Sequence, residues 1–442
     1  MHRATPFAAS DQEPLLILGE TTFRRQHARF GLLPPDRLRH LWVMGKTGAG
    51  KSTLLSNLIR QDLQRGEGLA LLDPHGDLVE SVLPFVPKHR MHNVLLFQSS
   101  DRAFPVSFNV FRQGKRPHAD TALLASQLVS VFKKYWADSW GPRLEHILRN
   151  AILAVAPDPR ATLLFLYRFL TDERLREQVT ENLTDPVVRQ FWTREFPGYG
   201  KKLQSEAVAP ALNKLGAFTA HPVVRNIIGQ ERSRLDLIRL MNERGILLAN
   251  LATGQIGEDA SHLLGGLLLT ALQLSAMERA RGGAPCYVYV DEFQHFVTDS
   301  LATLLSESRK FGLGLILAHQ YLAQLTDSVR DAVLGNVGSM MVFRIGATDS
   351  EELESEFSPP FTASDLTSLP RYHAAVKLIA RGEALAPFSA RTVPPSSIPT
   401  DAAETVSLLR ESSRRRFCNE QSVVESHIRT VMGIPSDRSR SR

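Results

Sequence analysis

The sequence has little cysteine and no long apolar run. Cysteine occupies only two of 442 positions, Cys286 and Cys418. Two cysteines are too few for a disulfide framework and fit a reducing cytoplasm. No apolar run approaches the roughly eighteen residues that a membrane-spanning helix needs, and the charged amino-terminal segment shows no signal-peptide core. We therefore expect a cytoplasmic chain without an intrinsic membrane span.

Charge is nearly balanced, with a modest basic excess. There are 52 lysines and arginines against 46 aspartates and glutamates, for a net charge of +6 at pH 7. Hydrophobic residues make up 43% of the chain, as is ordinary for a soluble globular protein. The basic excess permits a nucleic-acid partner without establishing one.

A glycine-rich stretch, GKTGAGKS at 45–52, lies between an apolar run typical of a strand (40–44) and a segment with helical spacing (52–64). Its glycines let successive backbone N–H groups point at a phosphate, and the helix that follows adds its positive end. Lys51 would contact the β- and γ-phosphates, and the Ser52 hydroxyl would bind Mg²⁺. The predicted nucleotide-binding residues are Gly45, Lys46, Thr47, Gly48, Ala49, Gly50, Lys51, Ser52 and Thr53.

A second motif, CYVYVDEF at 286–293, is a β-branched and aromatic strand that ends in two acids. Asp291 would hold Mg²⁺, and Glu292 would orient and activate the attacking water. A scaffold that binds a nucleotide without hydrolysing it has no need of the second acid. The pair therefore favours an NTP hydrolase over a pure switch.

Lys51 and Asp291 are 240 residues apart, much farther than a minimal nucleotide-binding core requires. Further strands are predicted at 68–76, 93–98 and 245–251, whereas the chain between 120 and 239 is almost wholly helical. This pattern predicts an α/β core interrupted by an inserted all-α domain. The predicted domains are 1–117 and 241–395 for the two parts of the core, 118–240 for the insert, and 396–442 for a basic, partly disordered tail.

Beyond Glu292, helices and strands continue to alternate, which predicts a mostly parallel, doubly wound sheet. Ligands bind beyond the carboxyl ends of the strands in such sheets. Gln320 ends a predicted strand (313–320), so it would meet Lys51 and Asp291 there and sense the γ-phosphate or position the water. The alternative for Gln320 is a turn residue that bonds its own backbone.

Arg309 lies near the end of a predicted helix (300–312), where a cation is favourable for local reasons alone. The functional alternative is an arginine finger that reaches a neighbouring subunit's γ-phosphate. At another strand end, Asp73, His75 and Asp77 alternate, which favours a capped turn over a metal site. The arginine-rich segments 410–417 and 436–442 are interpreted as a solvated tail or, alternatively, as a phosphate-binding arm.

Several blocks occur in a characteristic order: GKTGAGKS, LLDPHGDL, VSFNVF, YVYVDEF, SESRKFGLGLILAHQYLAQL and GNVGSMMVFRIGATDSEEL. Together they resemble the type IV secretion coupling proteins of bacterial conjugation, in the TraD/TraG-like branch of the FtsK/HerA superfamily of DNA-pumping ATPases. The resemblance covers roughly residues 15–395. It implies a RecA-like P-loop NTPase domain with an inserted all-α domain, ATP and Mg²⁺ as ligands, and a homo-hexameric ring around DNA. The family's arginine and glutamine map onto Arg309 and Gln320, which supports the finger interpretation.

Many coupling proteins carry amino-terminal transmembrane helices, and this sequence departs from that pattern. The resemblance implies an ATP-hydrolysing DNA translocase in conjugative transfer, peripheral at the inner membrane through a secretion-channel or relaxase partner. One alternative is a cytoplasmic HerA-type DNA helicase or translocase in repair or defence. Another is a secretion ATPase that moves protein, for which DNA would not stimulate hydrolysis.

Overall fold

The computed structural model describes residues 15–22, 27–114, 116–137, 140–298 and 301–434. The arginine-rich segment at 436–442 therefore lies outside the described residues. The chain divides into two compact units. The first unit contains the described residues of 15–96, 239–250 and 279–412, and the second those of 97–238, 251–278 and 413–434.

The described residues form fifteen strands, eleven of which belong to one sheet. The strands are β1 Leu16–Thr21, β2 Arg29–Leu32, β3 Leu41–Met44, β4 Gly68–Asp73, β5 Val94–Gln98, β6 Arg112–Gln113, β7 Arg116–Pro117, β8 Ile246–Asn250, β9 Cys286–Val290, β10 Leu313–His319, β11 Ser339–Val342, β12 His373–Lys377, β13 Ile379–Ala380, β14 Glu383–Ala384 and β15 Phe388–Thr392.

The described residues also form twenty α-helices. They are α1 Pro34–Arg37, α2 Lys51–Arg65, α3 Asp77–Val82, α4 Thr121–Tyr135, α5 Pro142–Val155, α6 Leu163–Thr171, α7 Glu173–Glu181, α8 Pro186–Gln190, α9 Phe196–Gly198, α10 Gly200–Ala220, α11 Pro222–Ile228, α12 Leu237–Asn242, α13 Thr253–Ile256, α14 Glu258–Met277, α15 Leu301–Glu307, α16 Asp327–Asn336, α17 Ala347–Phe357, α18 Ala363–Ser368, α19 Ala402–Phe417 and α20 Gln421–Val431.

The large sheet has the order β2-β1-β15-β12-β11-β3-β10-β9-β4-β8-β5. From β11 to β8 the neighbouring strands are parallel. From β11 to β2 they are antiparallel. The predicted α/β class with a mostly parallel sheet is therefore confirmed, and the antiparallel extension is a feature that the sequence pattern did not indicate.

The centre of the sheet is buried on both faces. Every residue of β3, β4, β9 and β10 is buried, which is why these strands are continuous apolar runs without alternation. Leu54, Leu55 and Leu58 of α2 share one apolar cluster with Val43 and Ile316 of the sheet. Each buried leucine stabilises the fold by about 1.5–3 kcal/mol. This packing holds α2, and so the loop that precedes it, against the sheet.

The second unit is almost wholly helical. Aspartate or threonine side chains cap four of its described helices, as when Asp120 accepts the Leu123 N–H of α4 and Asp172 accepts the Leu175 N–H of α7. These caps explain why those four helices begin where they do.

The compact units differ from the predicted division because the second unit also includes α14. The Tyr135 hydroxyl of α4 donates to the His262 carbonyl of α14 at 2.7 Å. A Cβ at Gly266 would lie 2.8 Å from that hydroxyl, so glycine permits the close approach of the two helices. The domain boundaries drawn from sequence place α14 in the nucleotide-binding core and remain a prediction.

Among the described residues, only α14 is long and apolar enough to cross a membrane by length and composition. Its most apolar window has a mean hydropathy of 1.3 and is 89% buried within the protein. The helix meets this criterion although its apolar run is interrupted, because an average tolerates scattered small and polar residues. Core helices meet the same criterion.

The tail was predicted to be partly disordered, whereas its described part is mostly helical. Two helices, α19 and α20, occupy most of 396–434. Leu409 of α19 joins the apolar cluster of the first unit, and Val424 and Ile428 of α20 pack with Leu164 in the second. These apolar side chains recur at helical spacing among the charges, and their burial stabilises the two helices.

Candidate functional site

The glycine-rich loop joins β3 to α2 and needs glycine at two positions. Gly48 has a φ of +75°, and Gly50, directly before Lys51, has a φ of +131°. A Cβ at Gly50 would also lie 3.0 Å from ring atoms of both Phe343 and Tyr372. Any larger residue at position 50 would be strained and crowded, so the sequence fixes the path of this loop.

Two backbone hydrogen bonds hold the loop from the far end of the chain. The Lys46 N–H donates to the Arg344 carbonyl at 2.9 Å, and the Tyr372 N–H donates to the Ala49 carbonyl at 2.9 Å. Sequence reasoning missed these supports. Arg344 does follow β11, the strand beside β3, but nothing in the local sequence marks Tyr372 as a contact of the loop.

Lys51 begins α2 and is 6% exposed. Its Nζ donates to the Gly45 carbonyl at 2.6 Å, so the ammonium group is folded back over its own loop. Burial lowers the pKa of Lys51, and the neighbouring Glu292 and Asp291 oppose that shift. The cation is therefore held where a phosphate group would meet it.

The two predicted acids follow β9 directly, and both are buried. Burial, then Glu292 and Asp73, raise the pKa of Asp291 to about 7, and Lys51 opposes the shift. The Glu292 N–H donates to the Asp291 carboxylate at 3.1 Å. Glu292 itself has a φ of +45°, a left-handed conformation that is uncommon for a residue with a side chain and recurs at functional sites.

Gln320 connects the loop to the second acid. Its amide nitrogen donates to Glu292 at 2.8 Å, and its amide oxygen accepts from the Thr47 hydroxyl at 3.1 Å. The amide therefore bridges two motifs and does not bond its own backbone, the alternative that the sequence left open. Gln294, which sequence reasoning missed, donates to the other carboxylate oxygen of Glu292 at 2.9 Å.

The remaining carboxyl-end residues fit the same layout. Ser52 is exposed at the first turn of α2, beside Lys51 and Thr53. Asp73, at the end of β4, accepts the His75 and Val79 N–H groups at 3.0 Å each, so it caps a turn as favoured from sequence. No group of three or more His, Cys, Asp or Glu suited to a metal was found in the described parts of the chain.

Chemically, this edge of the sheet offers the buried ammonium of Lys51, the buried carboxylates of Asp73, Asp291 and Glu292, and hydroxyl and amide groups. Oxygen donors of this kind are what Mg²⁺ prefers, with phosphate and water oxygens as its other ligands. Burial raises the pKa of Asp291 most, and the negative charges of Glu292 and Asp73 raise it further, more than Lys51 lowers it. The negative charge here is therefore not fully balanced. A divalent cation beside Asp291 would complete that balance, so the residues present fit a magnesium–nucleotide complex.

Arg309 does not join this group within one chain. It is exposed in a 3₁₀ turn, Ser308–Phe311, that precedes β10, whereas Gln320 follows the same strand. Because β10 has seven residues, Arg309 lies roughly 20 Å from Gln320. Its guanidinium has no ion-pair partner among the residues that the structure describes.

Comparison with protein families gives one match over most of the chain. The family described as the type IV secretion-system coupling protein DNA-binding domain matches residues 24–358. No curated protein sequence matches the chain.

Solved structures share the fold. The unbound bacterial conjugative coupling protein TrwBdeltaN70 is 17% identical, with a TM-score of 0.62 over 88% of this chain and 92% of that one. TrwB in complex with ADP and Mg²⁺ is 18% identical, with a TM-score of 0.62 over 84% and 90% of the two chains. VirB4 of Thermoanaerobacter pseudethanolicus is 15% identical, with a TM-score of 0.57 over 88% and 98%. At these identities the similarity shows the fold alone.

Proposed function

The chain belongs to the family of type IV secretion-system coupling protein DNA-binding domains, and from that premise we propose that it is an ATP-hydrolysing DNA translocase of conjugative transfer. It would act in the cytoplasm or peripherally at the inner membrane, through a relaxase or secretion-channel partner. The observation that carries the proposal is the hydrogen-bonded path from Thr47 through Gln320 to Glu292. This path joins the phosphate-binding loop to the acid that would handle water.

The loop and Lys51 would bind the phosphates of ATP. Lys51 would exchange its bond to the Gly45 carbonyl for the β- and γ-phosphate oxygens, a short movement because the ammonium already lies over the loop. Asp291 and Ser52 would hold Mg²⁺, which neutralises phosphate charge when bound. TrwB, which shares the fold, has been solved with ADP and Mg²⁺ and with a non-hydrolysable ATP analogue, in support of these ligands.

Glu292 would orient the attacking water and accept its proton. Gln320 and Gln294 hold its two carboxylate oxygens from different directions. Such positioning is the main contribution that a protein makes to phosphoryl transfer. Gln320 also accepts a hydrogen bond from Thr47 in the loop. A γ-phosphate bound at the loop would therefore change the position of Glu292 through Gln320.

Arg309 would act on a neighbouring subunit. It lies too far from its own loop to serve there, it is exposed, and it lacks an ion-pair partner among the described residues. An arginine finger supplied in trans is worth about 10³–10⁵ in kcat. A homo-hexameric ring with a site at each subunit boundary would place the finger correctly.

The experiment is steady-state ATPase activity of wild type and Glu292→Gln, with and without single- and double-stranded DNA, at low and moderate salt. We expect DNA to raise the wild-type rate several-fold, less so at higher salt because counterions compete for phosphate contacts. Glu292→Gln should bind nucleotide and hydrolyse almost none. Hydrolysis that no DNA affects would instead favour the protein-moving secretion ATPase.

A further inference from the structure

A buried histidine anchors the segment that carries Arg309. His40 directly precedes β3 and is 1% exposed. Its Nε2 lies 2.9 Å from the Leu305 carbonyl in α15 and 3.3 Å from the Ser308 hydroxyl, next to Arg309. Its Nδ1 accepts the Leu315 N–H of β10 at 3.0 Å. One imidazole thus holds the chain on both sides of Arg309.

These contacts define the state of the ring. Because Nδ1 accepts the Leu315 N–H, the proton of the neutral ring must lie on Nε2, where it is donated to the Leu305 carbonyl. Burial lowers the pKa of His40 to about 4, in keeping with a ring that stays neutral. Nε2 is therefore the atom that faces the Arg309 segment, and Nδ1 the atom that faces the sheet.

The backbone at His40 is also under constraint. Its φ is +69°, a left-handed conformation that costs on the order of 1 kcal/mol for a residue with a side chain. The Leu305, Ser308 and Leu315 contacts offset this cost by fixing the ring. The strand that begins at this point, β3, ends at the phosphate loop.

We propose that His40 is a positioning residue for Arg309: through Nε2 it holds the 305–308 segment so that the arginine is presented, pre-ordered, to the adjacent subunit. This inference rests on the proposed function, in which Arg309 acts in trans. It assigns to His40 no contact with ATP. A substitution of His40 should therefore lower ATP hydrolysis at the site of the neighbouring subunit and leave hydrolysis at the site of its own subunit unchanged.

The two ring nitrogens can be tested separately. In His40→Asn, the short amide can replace Nδ1 and tolerates a positive φ, but it cannot reach the Leu305 carbonyl. In His40→Gln, the longer amide can donate where Nε2 did. We expect His40→Asn to lower kcat at least tenfold, since displacing a catalytic group by about 1 Å can cost 10²-fold. His40→Gln should retain most of the rate.

Subunit mixing locates the effect. Lys51→Ala subunits lack a working loop but carry Arg309, whereas Arg309→Ala subunits have the loop and lack the finger. Neither should hydrolyse ATP alone, and their mixture should regain activity. His40→Asn added to the Lys51→Ala subunit should remove most of that activity, and added to the Arg309→Ala subunit it should change the activity less than twofold.

The control is Ser339→Ala. Ser339 is buried at the start of β11, opposite Leu41 of β3, and accepts the Ile379 N–H at 3.2 Å without touching the Arg309 segment. Added to either subunit of the mixture, Ser339→Ala should leave the restored ATPase rate within twofold. Thermal melting and sedimentation would confirm that each variant folds and assembles.

Three outcomes would overturn the inference. If His40→Asn is equally harmful on either subunit, the histidine acts on the fold in general. If His40→Gln is as harmful as His40→Asn, Nε2 is not the atom that matters. If the parent mixture regains nothing although each variant assembles and the Lys51-intact subunit binds ATP, the proposed action in trans fails first, and this inference with it.

Discussion

The two ends of the parallel strands in the first unit differ in whether their candidate functional side chains have contacts within the chain. At the carboxyl ends, Lys51, Glu292 and Gln320 already touch their partners within one chain. At the amino end of β10, Arg309 is exposed, and only the segment that bears it is anchored, by His40. Under the proposed function, nucleotide binding and water positioning are therefore built within one chain, whereas the cation for the transition state comes from a neighbouring subunit.

The amino end of the sheet also contains a buried ion pair. The Arg37 guanidinium, just before β3, makes two hydrogen bonds to Asp62 at 2.8 and 2.6 Å, and both side chains are buried. The Tyr289 hydroxyl donates to the same carboxylate at 2.5 Å. These bonds tie α2 and β9 to the segment that precedes β3.

Removing a charged side chain at the carboxyl ends of the strands should have the largest effect on the ATPase rate. We expect Lys51→Ala to lower the ATPase rate by roughly 10³-fold or more, because it removes the cation that balances phosphate charge. Fluorescent nucleotide binding should be weak in Lys51→Ala and retained in Glu292→Gln. Tight binding by Lys51→Ala would show that Lys51 is not the phosphate ligand.

Breaking the buried pair at the amino end should act on stability. Asp62→Asn leaves the Arg37 guanidinium buried and unpaired, which we expect to lower the free energy of unfolding by about 3–5 kcal/mol. Glu80→Gln is the matched control, because Glu80 pairs with Arg410 at 2.8 Å where both are exposed, and it should cost less than about 1 kcal/mol. Equal losses in urea unfolding would contradict this account.

Acidification should weaken both ends through buried neutral histidines. Burial lowers the pKa of His40 to about 4 and that of His319, at the end of β10, to about 3. The unfolded chain therefore binds more protons, so their contribution is complete above pH 6.5 and is lost as the pH falls toward 4, by about 3 kcal/mol for each histidine. His319→Leu should flatten the pH dependence of unfolding between 6.5 and 4. An unchanged slope would show that His319 is not held neutral.

Removing the side chain that connects Thr47 to Glu292 should have the smallest of these effects. Gln320→Ala removes the bond to Glu292 and the bond to Thr47, and we expect kcat to fall about 10- to 100-fold with little change in nucleotide affinity. Gln324→Ala is the control, because this nearby glutamine bonds the Tyr321 N–H of its own turn. If both variants behave alike in steady-state kinetics, Gln320 has no special role.

The sequence predicts best what is local. The glycine-rich loop, the buried strands and the polar residues at their ends follow from spacing alone, and the structure brings Thr47, Glu292 and Gln320 together as the parallel order requires. What it could not predict depends on contacts between distant segments. The partners His40 and Leu305 are 265 residues apart, and no local pattern marks either.

The antiparallel strands and the terminal helices were missed for a related reason. β1 and β2 are short. β1 pairs with β15, a strand from the far end of the sequence, and β2 pairs with β1. In α19, four arginines conceal the few apolar residues that pack, and in α20 polar residues separate them. Composition predicts solvation, whereas the positions of those few residues decide folding.

Movement along DNA would distinguish a translocase from an ATPase that only binds DNA. A duplex carrying a triplex-forming third strand, and a single strand carrying streptavidin on a terminal biotin, would be incubated with wild type or Glu292→Gln and ATP. We expect wild type to displace the third strand or the streptavidin only when ATP is hydrolysed, and Glu292→Gln to displace neither. Hydrolysis together with DNA binding, but without displacement from either substrate, would contradict it.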